Sequence, residues 1–305
     1  MLLNGKKGKI KMRLTSSEQV PSVSKLKKAR RPRSKAGEYD LGGLLLILPA
    51  LIILAVLYVY PLVLSIIMSF VSEQGVGLHN YRKAIDLYWV DMLFTVGITI
   101  ISLAIVFVVS VSIAGYLRFS RWPFLNFVYR LPLFIPFLIA GHSMRVFLAP
   151  HGILNIILTR ITGIPELPGL AFGWLGLVIS FVWKQFPLAT LLILGAFQAV
   201  HDSYIEAALN LGSNKFRAIW QIVLPIARPT VLVAMVLTFV STIGCLTIPL
   251  LIGPSKPVML PVDMSFRITY FNDWGVANAL GVISYLLVIG LSFYYLRYMV
   301  KKEEA

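Results

Sequence analysis

Acidic residues are scarce in this chain. Thirteen Asp and Glu stand among 305 positions, and none lies within the six longest apolar stretches. That argues against a carboxylate pair working at membrane depth. Cysteine is nearly missing: Cys245 stands alone, which excludes an intrachain disulfide and a multi-cysteine metal site. It reads as a small packing residue. No G-x-x-x-x-G-K-[ST] phosphate loop and no H-E-x-x-H zinc helix is present. The four histidines, His79, His142, His151 and His201, are scattered, and no nucleophile–base pair is evident. A membrane-embedded enzyme is therefore disfavoured, and the chain is expected to bind no metal or cofactor itself. Charge of either sign is also short, at 13% of residues, against ~25% in soluble domains. No repeat of roughly 20–50 residues is visible.

What fills the sequence instead is apolar. Hydrophobic residues make up 58% of it, and a membrane span needs about 20 in succession. Six spans are expected, at about 42–70, 93–117, 124–148, 172–198, 228–252 and 279–299. The fold class that follows is an all-α polytopic membrane protein. Its expected domain runs over 41–300, between a tail at 1–40 and a short end at 301–305.

Positive charge orients the spans. With the N-terminus in the cytoplasm, 20 Lys and Arg fall inside and five outside. Both termini are then expected to be cytoplasmic, and so is the polar break 199–227. Residues 1–38 alone carry twelve Lys and Arg against Glu18 and Glu38. This tail reads as solvated and disordered, with contact to anionic headgroups as the sharper alternative. It lacks the interleaved aromatics of a nucleic-acid binder. It is also too long and basic for a cleaved signal peptide. The outer loops 71–92, 149–171 and 253–278 carry aromatic, Gly and Pro residues, and read as ordered rims or plain connectors.

Segment 199–227 is amphipathic. Tyr204–Leu211 reads as a short helix containing Ala207 and Ala208, both good helix formers. Gly212 permits the positive φ of a helix stop. A second helical stretch is expected at Lys215–Val223, before Pro225 and Pro229 restrict the backbone. Two short helices meeting at small residues offer a docking surface to another protein. An amphipathic loop lying on the membrane accounts for the same pattern.

The spacing Glu206-Ala207-Ala208, three residues, Gly212, nine residues, Ile222, one residue, Leu224-Pro225 resembles the signature loop of permease subunits in binding-protein-dependent ABC importers. The resemblance covers roughly residues 40–300. It implies that this loop, with Arg217 within it, docks into a cytoplasmic ATPase dimer and moves as a lever. ATP and Mg would then be bound by that partner, since this chain has no phosphate loop. It also implies a second permease subunit, an external solute-binding protein, and a cell-membrane location. A passive channel or a receptor would not need the loop.

Charges inside a span usually face a cavity or a partner. Arg130 and Arg145 lie near span ends and can snorkel. Lys184 lies near the middle of its span, beside Pro187. It faces either the solute pathway or a structural partner such as a helix carbonyl. Further pathway candidates are His142, Ser143, Ser180, Ser241, Thr242 and Thr247, whose hydroxyls can equally serve their own helix backbone. Pro132 and Pro136 are expected to bend the third span.

Three cations and no acid within the spans favour neutral or anionic solutes. Val182-Trp183-Lys184 with Pro187, and Asn272-Asp273-Trp274-Gly275, resemble sugar and glycerol-phosphate permeases. Leu211 departs from the Asp that those permeases often place before the glycine. Ile248-Pro249-Leu250-Leu251-Ile252-Gly253 resembles the polyamine and ferric-iron group. A carbohydrate or related solute is the preferred reading, with polyamine or ferric iron as the alternative.

Overall fold

The computed structural model describes residues 41–120, 122–163 and 170–303. The basic tail, Arg121 and the Gly/Pro-rich stretch 164–169 lie outside the described residues. The chain divides into two units, Met1–Leu54 and Ala55–Ala305. In the first, α1 spans Leu41–Leu54, an unbroken apolar helix with Pro49 inside it.

The second unit opens with a π-helical turn, Ala55–Val59, and α2, Tyr60–Ser69. A two-stranded antiparallel ribbon follows, with β1 at Val71–Ser72 against β2 at Gly75–Val76. The protein is thus mostly helical rather than all-α. Gly75, at φ +102°, makes the tight reversal.

Helix α3 runs over His79–Phe119, 41 residues without a proline. It begins well before the expected span 93–117, so much of the expected outer loop 71–92 is helical. At 1.5 Å per residue it is about 60 Å long, twice the hydrocarbon core of a bilayer. It stops at Ser120, where Trp122 is held extended by the following Pro123.

The expected third span is broken into three pieces. These are α4, Pro123–Val128, a 3-10 turn, Leu131–Phe134, and α5, Phe137–Leu148. Pro132 and Pro136 therefore interrupt the helix instead of bending it. Pro136 forces Ile135 into an extended conformation, with ψ at 117°, and a helix cannot continue through it. Helix α6, Ile153–Thr162, ends on Gly163 at φ +72°.

Helix α7, Trp174–Ala199, tolerates Pro187 without a break. The next elements are α8, Asp202–Asn210, α9, Lys215–Ala218, a π turn, Ile219–Val223, and α10, Leu224–Ile226. The second helical stretch expected at Lys215–Val223 is thus one α turn followed by a wider turn. The expected span 228–252 is interrupted too. Helix α11 covers Arg228–Ile243 and α12 covers Thr247–Ile252. Pro249 fits the first turn of α12, where its missing N–H costs nothing. Helices α13, Leu260–Thr269, and α14, Trp274–Glu303, complete the chain.

Among the described residues, four helical stretches are long and apolar enough to cross a membrane: Ile47–Ser69, His79–Phe119, Phe137–Thr162 and Trp174–Ala199. A fifth appears if Lys215–Ile226 and Arg228–Ile243, bent by 81°, count as one. The apolar part of the last helix, Trp274–Gly290, is shorter. Interruptions at Pro132–Pro136 and at Gly244–Leu246 divide two of the six expected apolar runs.

Helices α3 and α7 form the spine of the second unit. Val106, Val111 and Ala114 of α3 share a buried cluster with Ala189, Ile193 and Phe197 of α7. Val231, Ala234 and Met235 of α11 join it. Small residues matter here because lipid is as apolar as leucine, so helices associate in a membrane through close packing. Buried hydroxyls serve their own helices: Thr95 Oγ1 donates to Asp91 O at 2.6 Å and Thr99 Oγ1 to Thr95 O at 2.7 Å.

At its N-terminal end α3 also organises the chain before α13. The Asp91 carboxylate accepts the Val258 N–H at 2.7 Å, and Thr95 Oγ1 accepts the Leu260 N–H at 2.9 Å. The second satisfies a donor that the start of α13 would otherwise leave unpaired, and the first fixes the residue just before its N-cap, Met259.

Candidate functional site

The segment between α7 and α11 is built from local capping chemistry. His201 precedes α8 and its ring Nδ1 accepts the Ser203 N–H. The far end of α8 is a Schellman stop. Ser213 N–H donates to Ala208 O at 3.0 Å and Gly212 N–H to Leu209 O at 3.0 Å. Gly212 sits at φ +85°, as the expected helix stop requires. A Cβ there would meet nothing within 4 Å, so the need for glycine is conformational, not spatial. Asn214 then caps α9, its Oδ1 accepting the Arg217 N–H at 2.7 Å.

The signature positions divide by direction. Ala208 is buried, and Ile222 and Leu224 are half-buried. Ile205, Ile219 and Val223 of the same segment enter the α3–α7 cluster. Glu206, Ala207, Gly212, Arg217 and Pro225 face outward. Leu211 is 89% exposed and Phe216 72%. One side of the segment is therefore seated in the helix bundle, and the other is an exposed knob with apolar tips.

Arg118, in the last turn of α3, ties this knob to the bundle. Its Nε donates to Phe197 O at 3.0 Å and one terminal nitrogen to Val200 O at 3.1 Å. The same nitrogen ion-pairs with Asp202, the first residue of α8. This guanidinium holds the Asp202 carboxyl below the usual carboxylate range. Sequence reasoning counted Arg118 only as an inside charge. The available signal was an Arg ending one span with an Asp just ahead of the Glu-Ala-Ala triplet.

The intramembrane candidates do not converge on one cavity. Lys184 is 93% buried. Its ammonium donates to Pro132 O at 2.8 Å and to Ile135 O, and lies 5.0 Å from the Phe137 ring centroid. These carbonyls belong to the break in the third apolar run, where the backbone lacks helical partners. Ser180 Oγ donates to Gly176 O of its own helix at 2.7 Å. His142 and Ser143 are exposed on α5, and Thr247 is half-buried at the start of α12. Ser241 and Thr242 are brought together by Gln185, whose Nε2 donates to Ser241 Oγ at 2.8 Å and Thr242 Oγ1 at 3.3 Å. Gln185 was missed as a candidate, although a buried amide beside Lys184 in an apolar run was visible. Arg130 lies against the Tyr129 ring and Arg145 against Phe172.

Residues 42–303 match the model of a known family, the binding-protein-dependent transport system inner membrane component. The chain belongs to that family. It is a multi-pass membrane permease component.

Relatives of this permease include the trehalose/maltose transport system permease protein of Thermococcus litoralis. The two are 27% identical over 278 residues, 84% of this chain and 92% of the relative. The sulfoquinovosyl glycerol transport system permease protein of Agrobacterium fabrum is 26% identical over 87% of this chain and 93% of its own length. A spermidine/putrescine permease of Haemophilus influenzae is 26% identical over 57% of this chain. Among solved structures, a bacterial ABC transporter that imports the acidic polysaccharide alginate superposes with a TM-score of 0.70. It covers 86% of this permease at 17% identity, which establishes the shared fold.

Proposed function

We propose that this permease forms half of a solute pathway driven by a separate cytoplasmic ATPase, and that segment 199–227 is where the ATPase docks. The observation that carries this is the division of the signature loop into a seated face and an exposed one. Glu206, Ala207, Gly212 and Arg217 are outward, on a turn whose backbone geometry is fixed by the Schellman stop. A rigid knob of this kind moves as a body when a partner grips it. ATP and Mg belong on that partner, which supplies the phosphate loop missing here. In this reading both chain termini are cytoplasmic, the apolar runs reach six spans by way of interrupted helices, and a second permease and an external binding protein complete the assembly.

The solute is a carbohydrate or a related neutral or anionic molecule. The trehalose/maltose and sulfoquinovosyl glycerol permeases, matched over most of their length, support this. Polyamine is the second reading, favoured by the Ile248–Gly253 stretch and the spermidine/putrescine relative.

The test is co-purification of the permease with the ATPase encoded beside it, followed by uptake in reconstituted vesicles. Glu206→Lys and Gly212→Asp should insert normally yet lose ATPase retention and uptake. Undiminished retention and transport in both would sink the docking assignment, and an ATP-independent conductance from the permease alone would favour a channel. Melting shifts of the cognate binding protein with trehalose, maltose and spermidine separate the two solute readings.

A further inference from the structure

The docking reading leaves open how movement of the exposed knob reaches the membrane helices. The joint between α7 and α8 is short: Val200 and His201 alone separate Ala199 from Asp202. Both are extended, with ψ of 126° and 136°. Val200 N–H donates back to Phe197 O and His201 O accepts the Tyr204 N–H, each at 3.3 Å, but among the described residues no backbone bond spans the link from α7 to α8. Nothing in their own backbone would make α7 follow α8.

Arg118 bridges this joint from a third helix. Its guanidinium binds Phe197 O, which also accepts the Val200 N–H, and Val200 O, both at the C-terminal end of α7. With the same planar group it pairs with Asp202 at the head of α8. A guanidinium presents its donors in a fixed fork, so the relative placement of these three acceptors is set by one rigid object. The neighbouring residues of α3 seat the second arm of the segment. A Cβ at Gly115 would lie 3.3 Å from the Ile219 side chain, so α3 and the π turn approach through that glycine. The Lys215 ammonium lies 5.6 Å from the Phe119 ring centroid. Five consecutive positions of one helix, Gly115 to Phe119, therefore hold both arms of the knob, and Arg118 also holds the end of α7.

We propose that Arg118 is the positioning residue that clamps α8 to α3 and α7, so that displacement of the docked segment is passed to both helices and not absorbed at Val200–His201. The proposal rests on the docking reading and assigns a role to a residue outside the signature positions. Arg118 touches no solute and no nucleotide. Its work is to keep the joint stiff.

The experiment uses the assembled complex with its ATPase, with ATP and vanadate as the probe. Hydrogen exchange is followed along α3, α7 and α8 with and without that probe. In the wild type, trapping changes exchange in α8 and in the C-terminal half of α7 together. Arg118→Lys keeps the charge but loses the fork, and Asp202→Asn removes the ion pair at an exposed position where folding is not at stake. Both should retain the ATPase and their melting temperature, while the trapped-state change in α7 falls by about fivefold or more. Asp202→Glu, which preserves the pair, should restore it. An α7 response in Arg118→Lys equal to wild type overturns the proposal. If instead Gly212→Asp keeps its ATPase, the docking reading has failed, and that result is separate because it is read from retention alone.

Discussion

The Lys184 ammonium, set in the middle of α7, lies 2.8 Å from the carbonyl oxygen of Pro132. A helix that contains a proline thus donates to a segment broken by two others. The break leaves Pro132 O with only a long 3.4 Å bond from the Ile135 N–H, and backbone groups freed in a membrane need a partner from the protein itself. Lys184 supplies it.

Lys184→Met should therefore cost stability before it alters any selectivity. Hydrogen bonds to a charged group contribute about 1.5–3 kcal/mol, and the variant removes the Lys184 donor from both carbonyls, leaving Pro132 O with only the Ile135 N–H. A fall in the detergent-solubilised melting temperature, with solute preference unchanged in the surviving protein, is expected. A shift of preference at unaltered melting temperature would assign Lys184 to the pathway.

Gln185 makes a second crossing, from α7 to the paired hydroxyls of α11. Thr242 also donates to Thr238 O at 2.8 Å, so it keeps a partner if the amide is lost. Gln185→Leu and Ser241→Ala should each be mildly destabilising. In a double-mutant cycle their coupling should be about 0.6 kcal/mol, the average for hydrogen bonds between membrane helices. Coupling near zero would mean the amide bonds elsewhere.

Gly212→Ala isolates the backbone term of the knob. The added methyl meets nothing, so only the left-handed φ is penalised, by about 1–2 kcal/mol. Amide exchange at Ser213, whose N–H closes the Schellman stop, should accelerate about tenfold, with the exchange of α7 unaffected. Unchanged protection at Ser213 would contradict the geometry.

Asp263 predicts a pH dependence between the last two apolar helices. Its side chain is buried, and one carboxyl oxygen has no hydrogen-bond partner. Burial, with the nearby Asp91 charge adding to it, pushes its pKa up to about 7, while Lys256 and Arg267 oppose the shift. The folded state thus holds a proton that the unfolded chain releases near pH 4. This contribution to stability is complete below pH 4 and is lost as pH rises towards 7. Melting temperature should fall from pH 5 to pH 8, and Asp263→Asn should flatten that slope and raise stability at pH 8. An identical slope in the variant would rule the residue out.

The signature loop could be read in the sequence because its chemistry is local. Gly212 acts on its immediate neighbours, so its position alone placed the helix stop, while the equally local Asn214 cap was not read. The broken spans were less legible. Hydropathy runs smoothly through Pro132, Pro136 and Gly244, and whether such residues bend a helix or end it depends on what receives the freed backbone groups. Here Lys184, about fifty residues later in the chain, is the receiver at one break. The roles of Arg118 and Gln185 were hidden for the same reason, although the residues themselves stood out. Their partners are carbonyls, hydroxyls and a carboxylate on other helices, which no periodicity reveals.

The length of α3 has one more consequence. Its first turns lie beside the ion pair of Lys83 and Asp273, its next ones cap the start of α13, and its last ones grip the signature loop. An unbroken helix of 41 residues has no interior joint at which to store a displacement. The contacts at its two ends are thus connected by a single stiff shaft, and a tilt imposed at one end reappears at the other with its sense reversed.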